Sequence, residues 1–258
     1  MKLRNFKTIL RRGRYLILGS FFGKIFYLID PLSRPGRSWS AYGEDVAIEG
    51  FLKRYRFLTG YDFNFSYIDI GCYEPCRSSN TFLFYRSGIT GTAVDPNPYL
   101  KKLWSQIRPR DTFLPIACAK EKLVEFNIIQ KDGESNTTSN IFLNQLKVLK
   151  HYSVEETIVT NALDLDEIIS LHLEIYPGDF LLDIDIEGKD FELIENFLFL
   201  SGRPFILLVE TSLNYLQQSR MEEILNIRQY RYVATLGVTS IFFDCTNNFA
   251  KVLNLGEL

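Results

Sequence analysis

Five carboxylates stand at the ends of short apolar runs in this sequence: Asp69 in "YIDIG", Asp95 in "GTAVDPNP", Asp185 and Glu187 in "DFLLDIDIEG", and Glu210 in "PFILLVET". Short runs of Ile, Leu, Val and Phe bounded by Gly or Pro have the pattern of buried parallel strands, and in an open parallel sheet ligands bind beyond the carboxyl ends of the strands. Any one of these acids could be a helix cap or sit in a solvated loop. Pointed together into one crevice, they suit a ligand with a ribose diol, a positive charge and a hydroxyl to be deprotonated.

The spacing sharpens this expectation. From Tyr67 to Pro98 the chain reads as strand, turn, helix of about a dozen residues and second strand, a βαβ unit. An acid ending its second strand, Asp95, is placed to accept the hydroxyls of a ribose. Gly71 lets the backbone bend after the first strand and leaves room for a ligand to approach it. Asp185 and Glu187 are two residues apart, so strand alternation puts both on one side, where they can share a hydroxyl or divide the roles of base and orienter. Gly188 then turns the backbone near the substrate. Asp183 shares the alternation but lies one step deeper and reads as structural. With Glu210, Asp185 and Glu187 could instead hold a divalent metal, which the reading allows but does not expect. The only histidines are His151 and His172; neither is assigned as a ligand, and His172 reads as a surface or capping residue. Cys72, Cys76, Cys118 and Cys245 fit no zinc spacing and suit reduced thiols in the cytoplasm.

The elements that must hold these groups can be followed along the chain. Ser40 offers a cap for a helix from Glu44 to Tyr55. After the βαβ unit come a helix from Tyr99 to Ile107, strands at "TFLPIACA" and "LVEFNIIQ", a polar surface loop "KDGESNTTSN", a helix from Phe142 to Lys150 and a strand at "TIVTNA". A helix from Leu165 to Leu171, the strand "DFLLDIDIEG", a helix in "KDFELIENFLFL" and the strand "PFILLVET" follow, and "YRYVATLG" with "TSIFFDC" makes a hairpin about Gly237. Alternating strands and helices predict an open, mostly parallel sheet with helices on both faces and an antiparallel C-terminal hairpin at its edge.

Charge divides the chain in two. Residues 1–37 carry nine Lys or Arg against Asp30, a net +8, so with a total of -2 the rest carries -10. An acidic body excludes nucleic acid as the main partner. The first 37 residues read as a basic amphipathic extension, with residues 38–258 as the catalytic domain. The apolar run Tyr15–Ile29 is short for a span and contains Lys24, so it suits peripheral contact with a membrane surface or packing on a protein surface.

"SAYGED", "YIDIGCYEPCRSSNT", "GTAVDPNP" and "LLDIDIEGKDFELI", in this order, resemble the FkbM-type methyltransferases over roughly residues 38–245. The resemblance implies a class I methyltransferase (Rossmann-like) fold and S-adenosylmethionine as cofactor. It places Asp69 and Gly71 along the methionine side and Asp95 on the ribose, and matches Glu44 and Asp45 to a segment covering the cofactor, although acids are also favoured in a helix's first turn. It implies O-methylation of a sugar hydroxyl, with a small molecule, glycan or glycolipid intermediate as acceptor; the cysteines and the basic extension add the expectation of a cytoplasmic enzyme able to sit against the inner membrane surface. The chain departs from related patterns at Tyr73 and Pro75, where many class I enzymes have glycine, and at Ala41, where the family commonly has Gln. A nicotinamide-dependent oxidoreductase or epimerase is the first alternative, disfavoured because "DIGCYEP" lacks G-x-G-x-x-G. A non-catalytic membrane-associated scaffold with this fold is the second.

Overall fold

All residues of Ser66–Ile70 (β1), Gly91–Val94 (β2) and Phe180–Ile184 (β7) are buried, as befits strands covered on both faces. The structure, a computed structural model, describes residues 38–129, 136–139, 142–144, 154–211 and 215–255. The extension at 1–37 and His151 lie outside the described residues, as does most of the helix expected from Phe142 to Lys150. Among the described residues, no helix is long and apolar enough to cross a membrane.

With Thr112–Leu114 (β3), Ile206–Glu210 (β8), Tyr230–Leu236 (β9) and Thr239–Asp244 (β10), these strands form a seven-stranded sheet of order β3-β2-β1-β7-β8-β10-β9. The pairings from β3 through β8 are parallel. The fold is therefore a mixed α/β fold with a mostly parallel central sheet, consistent with a class I methyltransferase-like architecture. The C-terminal hairpin forms at the edge of the sheet, as expected; β10 inserts between β8 and β9 and runs antiparallel to both. Burial accounts for this order. Every residue of β10 is buried, whereas most of β9, at the edge, is only partly covered, so Ile241, Phe242 and Phe243 gain cover on both faces from the interior position.

The expected single strand "TFLPIACA" is two. Pro115 has no N–H to donate, and it separates β3 from Ala117–Cys118 (β4). β4 pairs with Val154–Leu163 (β6), which pairs antiparallel with Leu123–Ile129 (β5) in a second, three-stranded sheet.

Helices cover both faces of the central sheet. Tyr67, Ala93, Leu181, Leu208 and Phe243 pack with the helices Glu44–Thr59 (α1), Phe82–Arg86 (α2), Lys101–Ile107 (α3) and Asn248–Val252 (α7). Ile68, Val94, Leu182, Leu207 and Phe242 pack with Leu165–Ile175 (α4), Asp190–Asn196 (α5) and Tyr215–Ile227 (α6). The two sets follow the two-residue alternation of the strands.

Three local expectations are corrected. α2 has five residues rather than a dozen, because Ser79 Oγ accepts from Thr81 N and Phe82 N and an irregular turn takes up the preceding chain. The N-cap of α1 is Gly43, not Ser40; Ser40 Oγ accepts from Gly43 N and donates to Asp45. His172 is buried, not at the surface. It falls on the apolar face of α4 with Leu165, Ile168 and Ile169, and its ring bridges Ser66 Oγ (2.8 Å) and Thr92 Oγ1 (2.9 Å). Burial lowers its pKa to about 4, so it is neutral at ordinary pH.

Candidate active site

The carboxyl ends of β1, β2 and β7 meet at Gly71. Its N–H donates to Val94 O, and Asp185 N–H donates to Ile70 O, so the chains leaving β1 and β7 run together past the strand ends. Gly71 has φ 87°, and a Cβ there would lie 1.6 Å from the carbonyl oxygen of Asp185. Glycine is thus required by the approach of two protein segments, in addition to any ligand.

Asp95 closes one side of the opening. Its two oxygens accept from Tyr73 N (3.0 Å) and Asn97 N (2.7 Å), leaving a further acceptor position on each. Burial pushes its pKa up to about 7, against the opposing effect of those two amides. Tyr73 has φ 39°, a left-handed conformation secured by its N–H bond to Asp95 and by Trp104 Nε1–H, which donates to Tyr73 O at 2.8 Å.

Asp185, Glu187 and Glu210 close the other side, with one carboxylate oxygen from each lying within 4.8 Å of the others. Desolvation, then repulsion from Glu210, Glu187, Asp190 and Asp183, holds the Asp185 carboxyl well above the usual carboxylate range. The side chain of Asp185 is open to the cleft, so the crowding of like charges is the stronger warrant for this direction. Glu210 is also raised by burial, and a hydrogen bond with Asp185 opposes that rise.

The loop carrying Glu187 is built by residues that sequence reading did not single out. Glu187 and Gly188 both have positive φ, 54° and 94°. Asp190 accepts from Ile186 N and Gly188 N, and Thr137 Oγ1 donates to Glu187 O at 2.7 Å. The pattern "EGKD", with an acid two residues after glycine at a helix start, is the one sequence signal for Asp190.

Gly71, Asp95, Asp185 and Glu187 line one cleft with Tyr73, Phe126 and Asn136–Thr138. Asn136 Oδ1 accepts from Ile129 N, while its Nδ2 has no hydrogen-bond partner among the described residues. The sequence read this segment only as a loop. Asp69 does not line the cleft. It is buried beneath the turn, where it accepts from the Thr81 hydroxyl; burial raises its pKa and Arg108 opposes the rise. Glu44 and Asp45 also lie off the cleft lining. Asp45 is fully buried and accepts from Ser38 Oγ, Trp39 N, Ser40 Oγ and Val46 N, while Glu44 accepts from Tyr42 N. Asp183, which the sequence reading made structural, is buried and accepts from Asn80 Nδ2.

No curated protein and no solved structure matches the chain. The family model of the methyltransferase FkbM domain matches residues 69–233. That match runs from Asp69 in β1 into β9, covers more than half of the chain and contains the strand ends that build the cleft. With this sequence match over this arrangement of strands, the chain belongs to the FkbM methyltransferase family.

Proposed function

We propose that the protein is an S-adenosylmethionine-dependent O-methyltransferase of the class I type that methylates a sugar hydroxyl on a glycan or glycolipid intermediate. The observation that carries this reading is the single cleft with Asp95 on one side and Asp185 and Glu187 on the other. The residues fit the cofactor. Asp95 keeps an acceptor position on each oxygen for a ribose diol, and Asn136 Nδ2, which has no hydrogen-bond partner among the described residues, is a donor for a polar ligand. Asp69 supports the methionine side from beneath the turn, and Glu44 and Asp45 hold the segment at the start of α1.

When bound, the cofactor supplies a methyl group on a sulfonium for direct displacement. The chain must then align the acceptor oxygen and remove its proton. Asp185 in contact with Glu210 is placed to take that proton, because a carboxyl raised toward neutrality is a stronger base than an ordinary surface acid. Glu187 orients the hydroxyl. The family membership supports a hydroxyl-bearing acceptor, and a cleft rich in carboxylate acceptors suits a ligand with several hydroxyls. A second reading rests on the close approach of Asp185, Glu187 and Glu210, which could hold a divalent cation that polarises the hydroxyl. Loss of transfer on adding a chelator, restored by metal, would favour it.

Calorimetry should show S-adenosylhomocysteine binding and no comparable binding of NAD. Label should pass from S-adenosylmethionine to an acceptor among sugar nucleotides, lipid-linked sugars or free glycans. Binding of NAD in its place would overturn the reading in favour of an oxidoreductase.

Residues 1–37 extend the proposal to an anionic membrane surface. Six of their nine basic residues precede Tyr15. Each near such a surface contributes about 1 kcal/mol, so binding should be reversible and fall with added salt. Full-length protein should co-sediment with phosphatidylserine vesicles at low salt, and a chain starting at Ser38 should not, while still binding cofactor. Equal sedimentation of the two would remove the extension from this role.

A further inference from the structure

Arg108 ends α3 with a side chain that has no exposed surface, and all five of its N–H donors are used. Nε donates to Asp111 Oδ2 at 2.6 Å. Nη1 donates to Pro75 O (3.2 Å) and Ser79 Oγ (3.3 Å), and Nη2 to Tyr67 OH (2.8 Å) and Thr81 Oγ1 (3.0 Å). One bond to Asp111 would have balanced the charge. Three of the other four go to residues of the turn between β1 and α2.

That turn needs such a partner. It lacks the later glycines of a phosphate or nucleoside cradle, contains Pro75, and holds Tyr73 and Ser78 at positive φ, 39° and 51°. It makes no regular ladder, so its carbonyls must find internal donors. Arg108 satisfies Pro75, and Trp104, whose ring lies 4.4 Å from the guanidinium carbon, satisfies Tyr73. Thr81 then relays the contact by donating to Asp69.

We infer that Arg108 is the positioning residue of the cofactor turn, fixing Gly71–Thr81 and, through the Thr81 hydroxyl, the Asp69 carboxylate in place of the glycines this turn lacks. The inference rests on the methyltransferase reading above. It assigns Arg108 no contact with substrate or cofactor; its effect passes through Thr81, Ser79 and the Pro75 carbonyl. A guanidinium is needed because only its planar fork reaches these acceptors and Asp111 at once.

The test is titration of the full-length protein with S-adenosylhomocysteine, in parent, Thr81→Val, Thr81→Ser, Arg108→Lys and the Thr81→Val/Arg108→Lys double variant. Thr81→Val should weaken binding by about 10-fold or more, the scale of a lost hydrogen bond to charged groups. Thr81→Ser keeps the hydroxyl and should restore most of the affinity. Arg108→Lys should weaken binding likewise, and the double variant should be no worse than the weaker single one, because both act on one chain of contacts. Parent-like affinity in Thr81→Val and Arg108→Lys would overturn the inference, as would a Thr81→Ser variant as weak as Thr81→Val. If Arg108→Lys does not fold, the Thr81 pair still decides. A parent protein that binds no S-adenosylhomocysteine overturns the methyltransferase reading, and this inference with it.

Discussion

Asp185→Asn is expected to lower methyl transfer by about 100-fold or more, the usual scale for a lost general base, while leaving S-adenosylhomocysteine affinity nearly unchanged. Asp185 lines the cleft beside Glu187 and meets Glu210, on the side away from Asp95. An amide there keeps the volume and one acceptor oxygen but cannot take a proton. Glu187→Gln should fall in the same direction. The pH profile gives a second readout. The Asp185 carboxyl is raised above its ordinary value, so it is protonated and inactive as a base below that raised pKa, and transfer should rise with pH through it. Glu210→Gln removes the foremost of its charged neighbours and should shift this acid limb to lower pH. Normal turnover in both Asp185→Asn and Glu187→Gln would place the base elsewhere.

Asp95→Ala should weaken cofactor binding by about 2 to 4 kcal/mol, or roughly 30-fold to nearly 1,000-fold. Two losses combine. In the proposed site the ribose hydroxyls lose their acceptor, and Tyr73 N and Asn97 N lose theirs, so the turn holding Tyr73 at positive φ loses a tie. Asp95→Asn separates these effects, since its one carbonyl oxygen can serve a single amide and its NH2 presents a donor where an acceptor is needed. It should still bind more weakly than the parent, with less loss of thermal stability than the alanine variant. Calorimetric affinity equal in all three proteins would remove Asp95 from the cofactor site.

Much of the layout was legible because it depends on local pattern. The runs "YIDIG", "GTAVD", "FLLDI" and "ILLVE" are mostly apolar on both sides, and strands buried on both faces of a parallel sheet read as such runs. Their terminal acids had to lie at one edge of the sheet, which is why Asp95, Asp185 and Glu187 meet in one cleft. The hairpin about Gly237 was legible for the same reason. Its position was not, because the choice between β9 and β10 for the interior depends on which strand fits beside β8. Nor could the sequence show that "TFLPIACA" serves two sheets.

The site's supports were decided only by tertiary structure. Asp45 and Glu44 read equally as part of a segment covering a cofactor or as first-turn acids; both are buried and bonded to the chain that precedes or surrounds them, because a first-turn carboxylate is the nearest acceptor for free amides. Asp69 faces Thr81 beneath the turn rather than the cleft. Arg108 lies 27 residues beyond Thr81 and 33 beyond Pro75 in the chain, with no periodicity linking them. His172 reads as a polar residue late in a helix until Ser66 and Thr92 from two neighbouring strands are brought to its ring. The sequence by itself determined the four parallel strands that end in acids and the family, since these follow from short-range pattern and ordered motifs. Which acids face the cleft and which face the protein was decided by long-range packing, because a buried carboxylate takes whatever donors the fold brings within reach.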